Sequence, residues 1–434
     1  MKKLFQLFLY CNLFILIIGV LGCKKNYSNP TAATASQVFS SAKGLMGVAF
    51  GIQRTYSLNV SPGISDANGL LTNETFLLNP GNTSEFQLTT GGTAVDGTNA
   101  LLGNIWTTAN KCIYDANNVI ASAQLLGDKG YASGLIGYST IIKALSIGSL
   151  SMFWEKVPDT VGTTASVFID RIAGYTKAIA AIDRALATIN ANAISTGFAT
   201  DLSTTGIDIV NTLNALKARY NLFSGNYSAA LASANAVTLS TTTKSTFNFD
   251  ATTPNPVYIA ATSTNNLYQP LDSTLGLPVG LAPDLADKRV PFYTVINTSI
   301  LPRYRLNGFW NANITAIPVY FLGEISLIKS ECYARQAVPD LVNAVIELNK
   351  VVTKTAAADA LGIGASLPPI APVTQADVLT QIYRNRCIEL YHSGLKLEDM
   401  RRFARPTTER KRNLLPYPFR ERDSNPNTPA DPTF

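Results

Sequence analysis

The feature that most constrains the fold is a pair of helical patterns joined by a short turn, IDIVNTLNALKARYNLFSGNYSAALASANAV, at 207–237. The first half places large apolar side chains on one helical face, and the second half returns with smaller ones. The face residues are Ile209, Leu213, Leu216, Tyr220, Tyr227, Ala230 and Ala234. Alanines four residues apart let two helices approach closely, so the pair predicts a helix hairpin of the tetratricopeptide type.

Helical periodicity recurs along most of the chain. Further helices are predicted at 37–58, 99–125, 132–154, 167–191, 318–336, 338–354 and 374–404. No strict period of about 34 residues links them, so the repeats are divergent. The predicted fold class is mainly α, a tetratricopeptide-like helix-hairpin scaffold.

Two stretches interrupt the helical patterns. Residues 60–98 are rich in Gly, Asn, Thr and Ser and are predicted to form a long loop excursion. Residues 240–317 combine Thr, Asn, Pro and Gly with scattered aromatics, which predicts an irregular, loop-rich subdomain laid over the helices. The chain is therefore divided into a leader at 1–22, a tether at 23–36, helical regions at 37–239 and 318–434, and the irregular subdomain at 240–317.

The N-terminus has the layout of a secretory signal: Lys2 and Lys3, then an apolar run, then VLGC at 20–23. The VLGC sequence resembles a bacterial lipobox, which implies that Cys23 becomes the N-terminus and carries acyl chains such as palmitate. The alternative is a transmembrane anchor. Gln6 and Asn12 interrupt the run, and the Gly-Cys ending favours the lipoprotein. No other segment is predicted to cross a membrane.

The charge and cysteine content exclude several function classes. Without Lys2 and Lys3 the chain has 33 basic against 29 acidic residues, and eleven of the basic ones lie at 384–422. This local patch does not indicate a nucleic-acid binder. Cys112, Cys332 and Cys387 remain beyond the lipidated cysteine, and their wide spacing predicts buried free thiols. Neither a metal site nor a cofactor is predicted.

The segment IYRNRCIELYHSGLKLEDMRRF at 382–403 looks like an active site, because it holds the only histidine, a thiol and a dense set of charges. His392 lacks the motifs that accompany a catalytic histidine, and one histidine does not build a typical zinc site. The charges fall at helical spacing, which predicts the ion pairs Arg386–Glu389 and Glu398–Arg402. Arg386 lies on a partly buried stripe, so a carboxylate of another helix, Glu324 or Glu331, is an alternative partner. The prediction is bracing between helices.

Several separated segments together resemble one family. They are IWTTANKCIYDANNVI (105–120), IKALSIGSLSMFWEKVPDT (142–160), the hairpin described above, IPVYFLGEISLIKSECYAR (317–335), the segment 382–403 and PYPFRERDSNPNT (416–428). In this order they resemble the motifs of the SusD/RagB family of outer-membrane nutrient-binding lipoproteins of Bacteroidota. The residues carried over as structural motif positions are Trp106, Asn117, Glu324, Arg386, Glu389, Gly394, Asp399 and Arg402.

The resemblance implies a SusD-like α/α superhelix and a non-catalytic role. It implies a lipoprotein of the outer membrane, facing the extracellular side, that captures oligosaccharides and delivers them to a SusC-like TonB-dependent transporter. Uptake of peptides by the same fold is an alternative, and a surface hydrolase is a third interpretation.

Aromatic side chains at loops are the groups that a glycan binder needs, because flat rings stack on sugar faces. Trp106 and Trp154 lie on helical patterns and are predicted to be core residues. Trp310 lies among Gly and Asn in PRYRLNGFWNANIT (302–315) and is predicted to be an exposed stacking platform; the alternative is a loop aromatic that fills the subdomain core. The other predicted ligand contacts are Tyr304, Phe309, Asn311, Asn313 and Tyr268, with Phe76, Phe86 and Tyr258 as weaker candidates.

Overall fold

The computed structural model describes residues 2–3, 35–263, 267–299, 301 and 303–434. The lipidation site predicted at Cys23 and most of the tether lie outside these residues. The helices are α1 (Ala35–Ser40), α2 (Ala42–Thr55), α3 (Ser61–Leu71), α4 (Thr83–Thr90), α5 (Ala100–Ala123), α6 (Lys129–Phe153), α7 (Arg171–Ala191), α8 (Thr196–Leu202), α9 (Ile209–Phe223), α10 (Tyr227–Asn235), α11 (Arg289–Tyr293), α12 (Leu322–Ala334), α13 (Leu341–Val352), α14 (Gln375–Glu389), α15 (Lys396–Arg402) and α16 (Phe419–Ser424).

Within the described ranges, the strands are two or three residues long and form four antiparallel pairs. They are β1 (Phe76–Leu77), β2 (Lys156–Pro158), β3 (Phe168–Asp170), β4 (Thr246–Phe247), β5 (Tyr268–Gln269), β6 (Thr294–Ile296), β7 (Tyr304–Leu306) and β8 (Ile317–Pro318). The pairs are β1 with β5, β2 with β3, β4 with β8 and β6 with β7. The fold is mainly helical, as predicted.

Helix α6 lies at the centre of the N-terminal helical region and packs against α2, α5, α7 and α9. Asp128 caps its N-terminus by accepting a hydrogen bond from the Tyr131 N–H at 2.8 Å, which satisfies one of the free donors of the first turn. A β-carbon at Gly148 would lie 2.2 Å from the Tyr220 hydroxyl. Glycine at this position therefore allows α9 to approach α6 closely.

By length and hydropathy, α6 is the one helix among the described residues that could span a membrane. This differs from the prediction that no segment beyond the leader has that character. Every residue of α6 from Tyr131 to Phe153 except Lys143 is buried inside the protein. Helices that are apolar on all sides occur in protein cores as well as in membranes, and α6 is a core helix.

The predicted hairpin is present as α9 and α10, joined through Gly225. Helix α12 packs against both of these helices and also against α13 and α14. It therefore connects the N-terminal and C-terminal helical regions. One hydrophobic cluster runs from Leu45 to Tyr417 and includes residues of the 240–317 segment.

The loop predicted at 60–98 is partly wrong. A π-helical turn, Tyr56–Val60, continues α2 directly into α3, and α4 follows at Thr83–Thr90. Pro62 lies within this continuous helical path and has no N–H to donate to the preceding turn, and the π-helical turn lies directly before it. Residues 63–71 are all buried, so burial outweighs the poor helix propensity of Gly63, Asn68 and Gly69.

The helix predicted at 374–404 is interrupted. Helix α14 ends at Glu389 and α15 begins at Lys396, with His392 and Gly394 between them at positive φ, 54° and 86°. A β-carbon at Gly394 would lie 2.5 Å from the Ile64 side chain. Gly394 thus permits both the break and the contact with α3.

Candidate functional site

The charged side chains of 382–403 form a buried network. The Nε of Arg386 donates to Asp399 Oδ2 at 2.8 Å, and Arg402 donates to Asp399 Oδ1 at 2.7 Å. Arg402 also binds both carboxylate oxygens of Glu331 on α12, at 2.8 and 3.0 Å. Burial by itself raises the pKa of Asp399, but attraction to the two arginines outweighs it and holds that pKa below its usual range. The network joins α12, α14 and α15.

The two ion pairs predicted from helical spacing are wrong in their partners. Glu389 binds Lys354 at 2.5 Å and Arg289 at 3.2 Å, and it does not bind Arg386. Glu398 pairs with Arg171 of α7 and with Arg401, and it does not pair with Arg402. The interruption of the helix after Glu389 places the side chains of Glu389 and Glu398 near other elements.

The other structural motif acid, Glu324, also has a distant partner. Arg219 of α9 binds it through two nitrogens, at 2.6 and 2.7 Å, where both side chains are buried. Glu324 therefore connects α12 to the helix hairpin. Neither Glu324 nor Glu331 contacts Arg386, although both bind arginines.

His392 is buried, and neither ring nitrogen has a hydrogen-bond partner among the described residues. Burial lowers its pKa to about 3, so the ring is neutral at physiological pH. Its neighbours are aromatic, with ring centroids 5.0 Å from Trp310 and 5.5 Å from Tyr268. These surroundings are those of a core residue rather than of a general base.

Trp310 is not the exposed platform that the sequence predicted, because its side chain is 2% exposed. It stacks on Tyr293 at 5.8 Å and meets Phe309 and Tyr391 edge to face. Phe309 and Tyr268 are 7% and 1% exposed. The alternative interpretation, a loop aromatic that fills the subdomain core, describes its position.

Asn255, which sequence analysis missed, fixes the loop that carries Trp310. Its side-chain nitrogen donates to the carbonyls of Phe309 and Thr315 at 2.9 and 2.8 Å, and its oxygen accepts from the N–H groups of Val257 and Tyr258. The side chain is fully buried. The only local signal was an asparagine before Pro256, a pattern typical of turn initiation.

A small cavity borders the aromatic cluster, with Trp310, His392, Arg219 and Ser149 in its wall. Its volume is about 60 Å³. A buried water needs roughly 10–15 Å³ by this measure, so the cavity has room for a few waters. It is too small for a sugar ring.

The predicted ligand residues that reach solvent are Tyr304, which is half-buried, and Asn311 and Asn313, which are exposed. Tyr304 lies on β7 opposite Ile296 of β6. Ile296 is 56% exposed on the same face as Tyr304, whereas Val295, which is 49% exposed, lies opposite Arg305 and points to the other face of the two strands. We call Ile296 and Tyr304, together with the exposed residues Asn311 and Asn313 of the loop that follows β7, the hairpin surface.

The weaker aromatic candidates have mixed positions. Phe76 on β1 and Phe86 on α4 are exposed, and Tyr258 is half-buried. Phe76 lies opposite Gln269 where β1 pairs with β5. The 60–98 and 240–317 segments therefore meet at this pair of strands.

Trp106 and Trp154 are core residues, as predicted. Trp106 donates to Glu421 Oε2 at 2.9 Å, and Trp154 donates to the Pro416 carbonyl at 2.8 Å. The two rings meet edge to face at 4.9 Å. Asn117, the remaining motif residue, is half-buried and lines a separate cavity.

Cys112, Cys332 and Cys387, the three cysteines that the structure describes, are buried free thiols, which confirms that prediction. Within the part of the chain that the structure describes, no group of three His, Cys, Asp or Glu side chains is arranged to hold a metal ion.

No protein-family model and no curated protein matches the chain. Solved structures do match. A SusD homolog from Bacteroides thetaiotaomicron has a TM-score of 0.71 at 13% identity, over 93% of this chain and 99% of that one. A SusD superfamily protein from Bacteroides fragilis has a TM-score of 0.70 at 14% identity, over 90% and 99%. A laminarin-binding SusD-like protein has a TM-score of 0.62 at 15% identity, over 91% and 99%. The fold of this chain is SusD-like.

Proposed function

We propose that this chain, with its SusD-like fold, is a non-catalytic glycan-binding lipoprotein that captures oligosaccharides outside the cell. The observation that carries the proposal is the agreement in fold with solved structures over about nine-tenths of the chain. One of these structures is described as a laminarin-binding SusD-like protein, and another is described as a SusD-like carbohydrate binding protein. Fold alone does not determine function, so the surface chemistry is the second support.

The charge-rich segment supports binding without catalysis. A general acid or base needs a titratable group within reach of substrate. His392 is buried and neutral, and the carboxylates Glu331, Glu389 and Asp399 are buried against arginine or lysine. These groups stabilise the packing of helices.

The hairpin surface is the proposed ligand contact. Tyr304 supplies an aromatic face, and Asn311 and Asn313 supply amides that bind hydroxyl groups. The role proposed for the buried aromatics is indirect: they support the loop from the core side and do not contact the ligand. These residues are Trp310, Phe309 and Tyr268. Exposed Ile296, on the same face as Tyr304, offers an apolar contact that would also suit a peptide.

The proposed cellular role completes this picture. Acylation of Cys23 would anchor the protein to the outer membrane, on the extracellular side, and the bound oligosaccharide would pass to a SusC-like TonB-dependent transporter. Co-purification from native outer membranes tests the partner. Recovery without any transporter of that type would contradict it.

The binding test uses the full chain in detergent on a glycan array and a peptide library, followed by calorimetry. Tyr304→Ala is expected to weaken glycan binding roughly tenfold or more, as loss of a hot-spot aromatic does. Tyr114→Ala is the matched control, because Tyr114 is 47% exposed on α5 and is not part of the hairpin surface. Selective peptide binding would replace the proposed cargo, and equal effects of the two variants would reject the proposed surface.

A further inference from the structure

A second cavity, remote in sequence from the hairpin surface, lies between α5, α6, α7 and the segment that follows β2. Its volume is about 260 Å³. Apolar side chains form most of its wall, among them Ile113, Ile147 and Val161. Five polar residues also line it: Asn117, Lys143, Asp159, Thr160 and Lys177.

Lys143 is the exceptional residue of α6. It is the one residue between Tyr131 and Phe153 that is not buried, and it opens into this cavity. No hydrogen bond or ion pair joins it to any described residue. Burial, and then the positive charges of Arg184 and Lys177, lower its pKa to about 8. A cation in such surroundings is stabilised by any anion that reaches it.

The other polar groups set the charge of the site. The Nζ of Lys177 donates to Asp159 Oδ1 at 2.7 Å, so these two side chains neutralise each other. The half-buried amide of Asn117 has no hydrogen-bond partner among the described side chains and backbone groups. One uncompensated cation and one free amide donor therefore face an apolar cavity.

We propose that this cavity binds a small organic monocarboxylate with an apolar body, held by Lys143 and Asn117. One carboxylate oxygen would accept a hydrogen bond from the ammonium of Lys143, and the other would accept one from the amide N–H of Asn117. The apolar wall accommodates the rest of the molecule. A phosphate group fits less well, because a single free cation does not compensate two charges and Asp159 lies nearby.

The experiment measures binding of phenylacetate to the full chain in detergent by calorimetry, with phenylacetamide and inorganic phosphate as comparisons. Phenylacetate is expected to bind in a saturable manner. Phenylacetamide is expected to bind roughly tenfold or more weakly, since it lacks the charge-assisted contact. Lys143→Met should remove this preference and leave phenylacetamide binding unchanged. Lys129→Met is the control, because Lys129 is exposed in the first turn of the same helix.

A proton readout separates direct contact from a structural effect. Because the bound carboxylate favours the ammonium form of Lys143, binding near pH 8 should take up a proton. Calorimetry in buffers of different ionisation enthalpy detects this uptake, and Lys143→Met should abolish it. Asn117→Ala provides a second variant, with an expected loss of severalfold in phenylacetate affinity.

Three outcomes would overturn the proposal: equal affinity for the acid and the amide, unchanged phenylacetate binding in folded Lys143→Met, or inorganic phosphate that displaces phenylacetate. None of these outcomes bears on glycan binding at the hairpin surface, which is measured separately with Tyr304→Ala.

Discussion

Replacing Asp399 by asparagine tests whether the charges of 382–403 stabilise the fold. Asp399 is 1% exposed and lies between two arginines, Arg386 and Arg402. Asparagine has nearly the same shape, so the substitution removes the charge and leaves little cavity. The result therefore reports electrostatics rather than packing.

The expected loss follows from the burial of the arginines. Arg386 is fully buried, and its Nη1 and Nη2 already lack hydrogen-bond partners in the part of the chain that the structure describes. Asp399 supplies the one ion pair that Arg386 makes with a described residue, whereas Arg402 keeps Glu331. Removing one partner of a buried pair costs about 3–5 kcal/mol in the free energy of unfolding. We expect Asp399→Asn to lower the free energy of unfolding by an amount in this range at pH 7.

Urea titration followed by circular dichroism measures the change, and its pH dependence gives an independent check. The pKa of Asp399 is lower in the folded protein than in the unfolded chain. Its stabilisation is therefore complete above the unfolded value of about 3.9 and is lost as the pH falls through the folded pKa. The difference between wild type and Asp399→Asn should be constant near neutrality and should shrink below about pH 4.

Asp115→Asn is the control for this measurement. Asp115 pairs with Lys111 on the surface of α5, where the lysine side chain is 63% exposed. Exposed pairs of this kind contribute about 0–1 kcal/mol. A loss in Asp399→Asn no larger than that in Asp115→Asn would refute the bracing role.

Three further predictions concern other buried residues. His392→Phe should remove part of the acid sensitivity of the folded state. Because the folded pKa of His392 is about 3, its stabilising contribution is present above the unfolded value near 6.5 and falls by about 3 kcal/mol between pH 6.5 and 4. Equal pH profiles of the free energy of unfolding for the two proteins would contradict this. Gly394→Ala should destabilise the protein by at least about 1–3 kcal/mol, because Gly394 has a positive φ and lies close against α3. Gly103 lies in α5 with open space around it, so Gly103→Ala should stabilise the protein by up to about 1 kcal/mol in the same denaturation experiment. Trp310→Ala should cost about 3–5 kcal/mol of stability as a core truncation; a thermal melt identical to that of wild type would place Trp310 outside the core.

The sequence predicted those elements whose signals are local. The α9–α10 hairpin and the helices predicted at 99–125 and 132–154 follow from apolar spacing. The continuation of α2 into α3 was missed, because its residues form a helix only through burial against the rest of the protein.

The candidate site was less predictable, because its contacts join distant residues. Arg219 and Glu324 are 105 positions apart, and Trp310 is turned inward by a loop that Asn255 closes from 54 positions away. Helical spacing says nothing about such partners. The prediction that Arg386 pairs with Glu389 was therefore wrong, whereas the general prediction of ion pairs between helices agrees with the observed contacts.

The apolar character of α6 has a consequence for export. A chain that is proposed to cross the inner membrane presents every segment to the translocation machinery, and α6 has enough length and hydropathy to stop there. Lys143 lies near the middle of this helix, where a lysine disfavours membrane insertion by about 2.5–3.5 kcal/mol. Lys143, which is not buried in the folded protein, would thus favour translocation of the unfolded α6 segment over its insertion into the membrane.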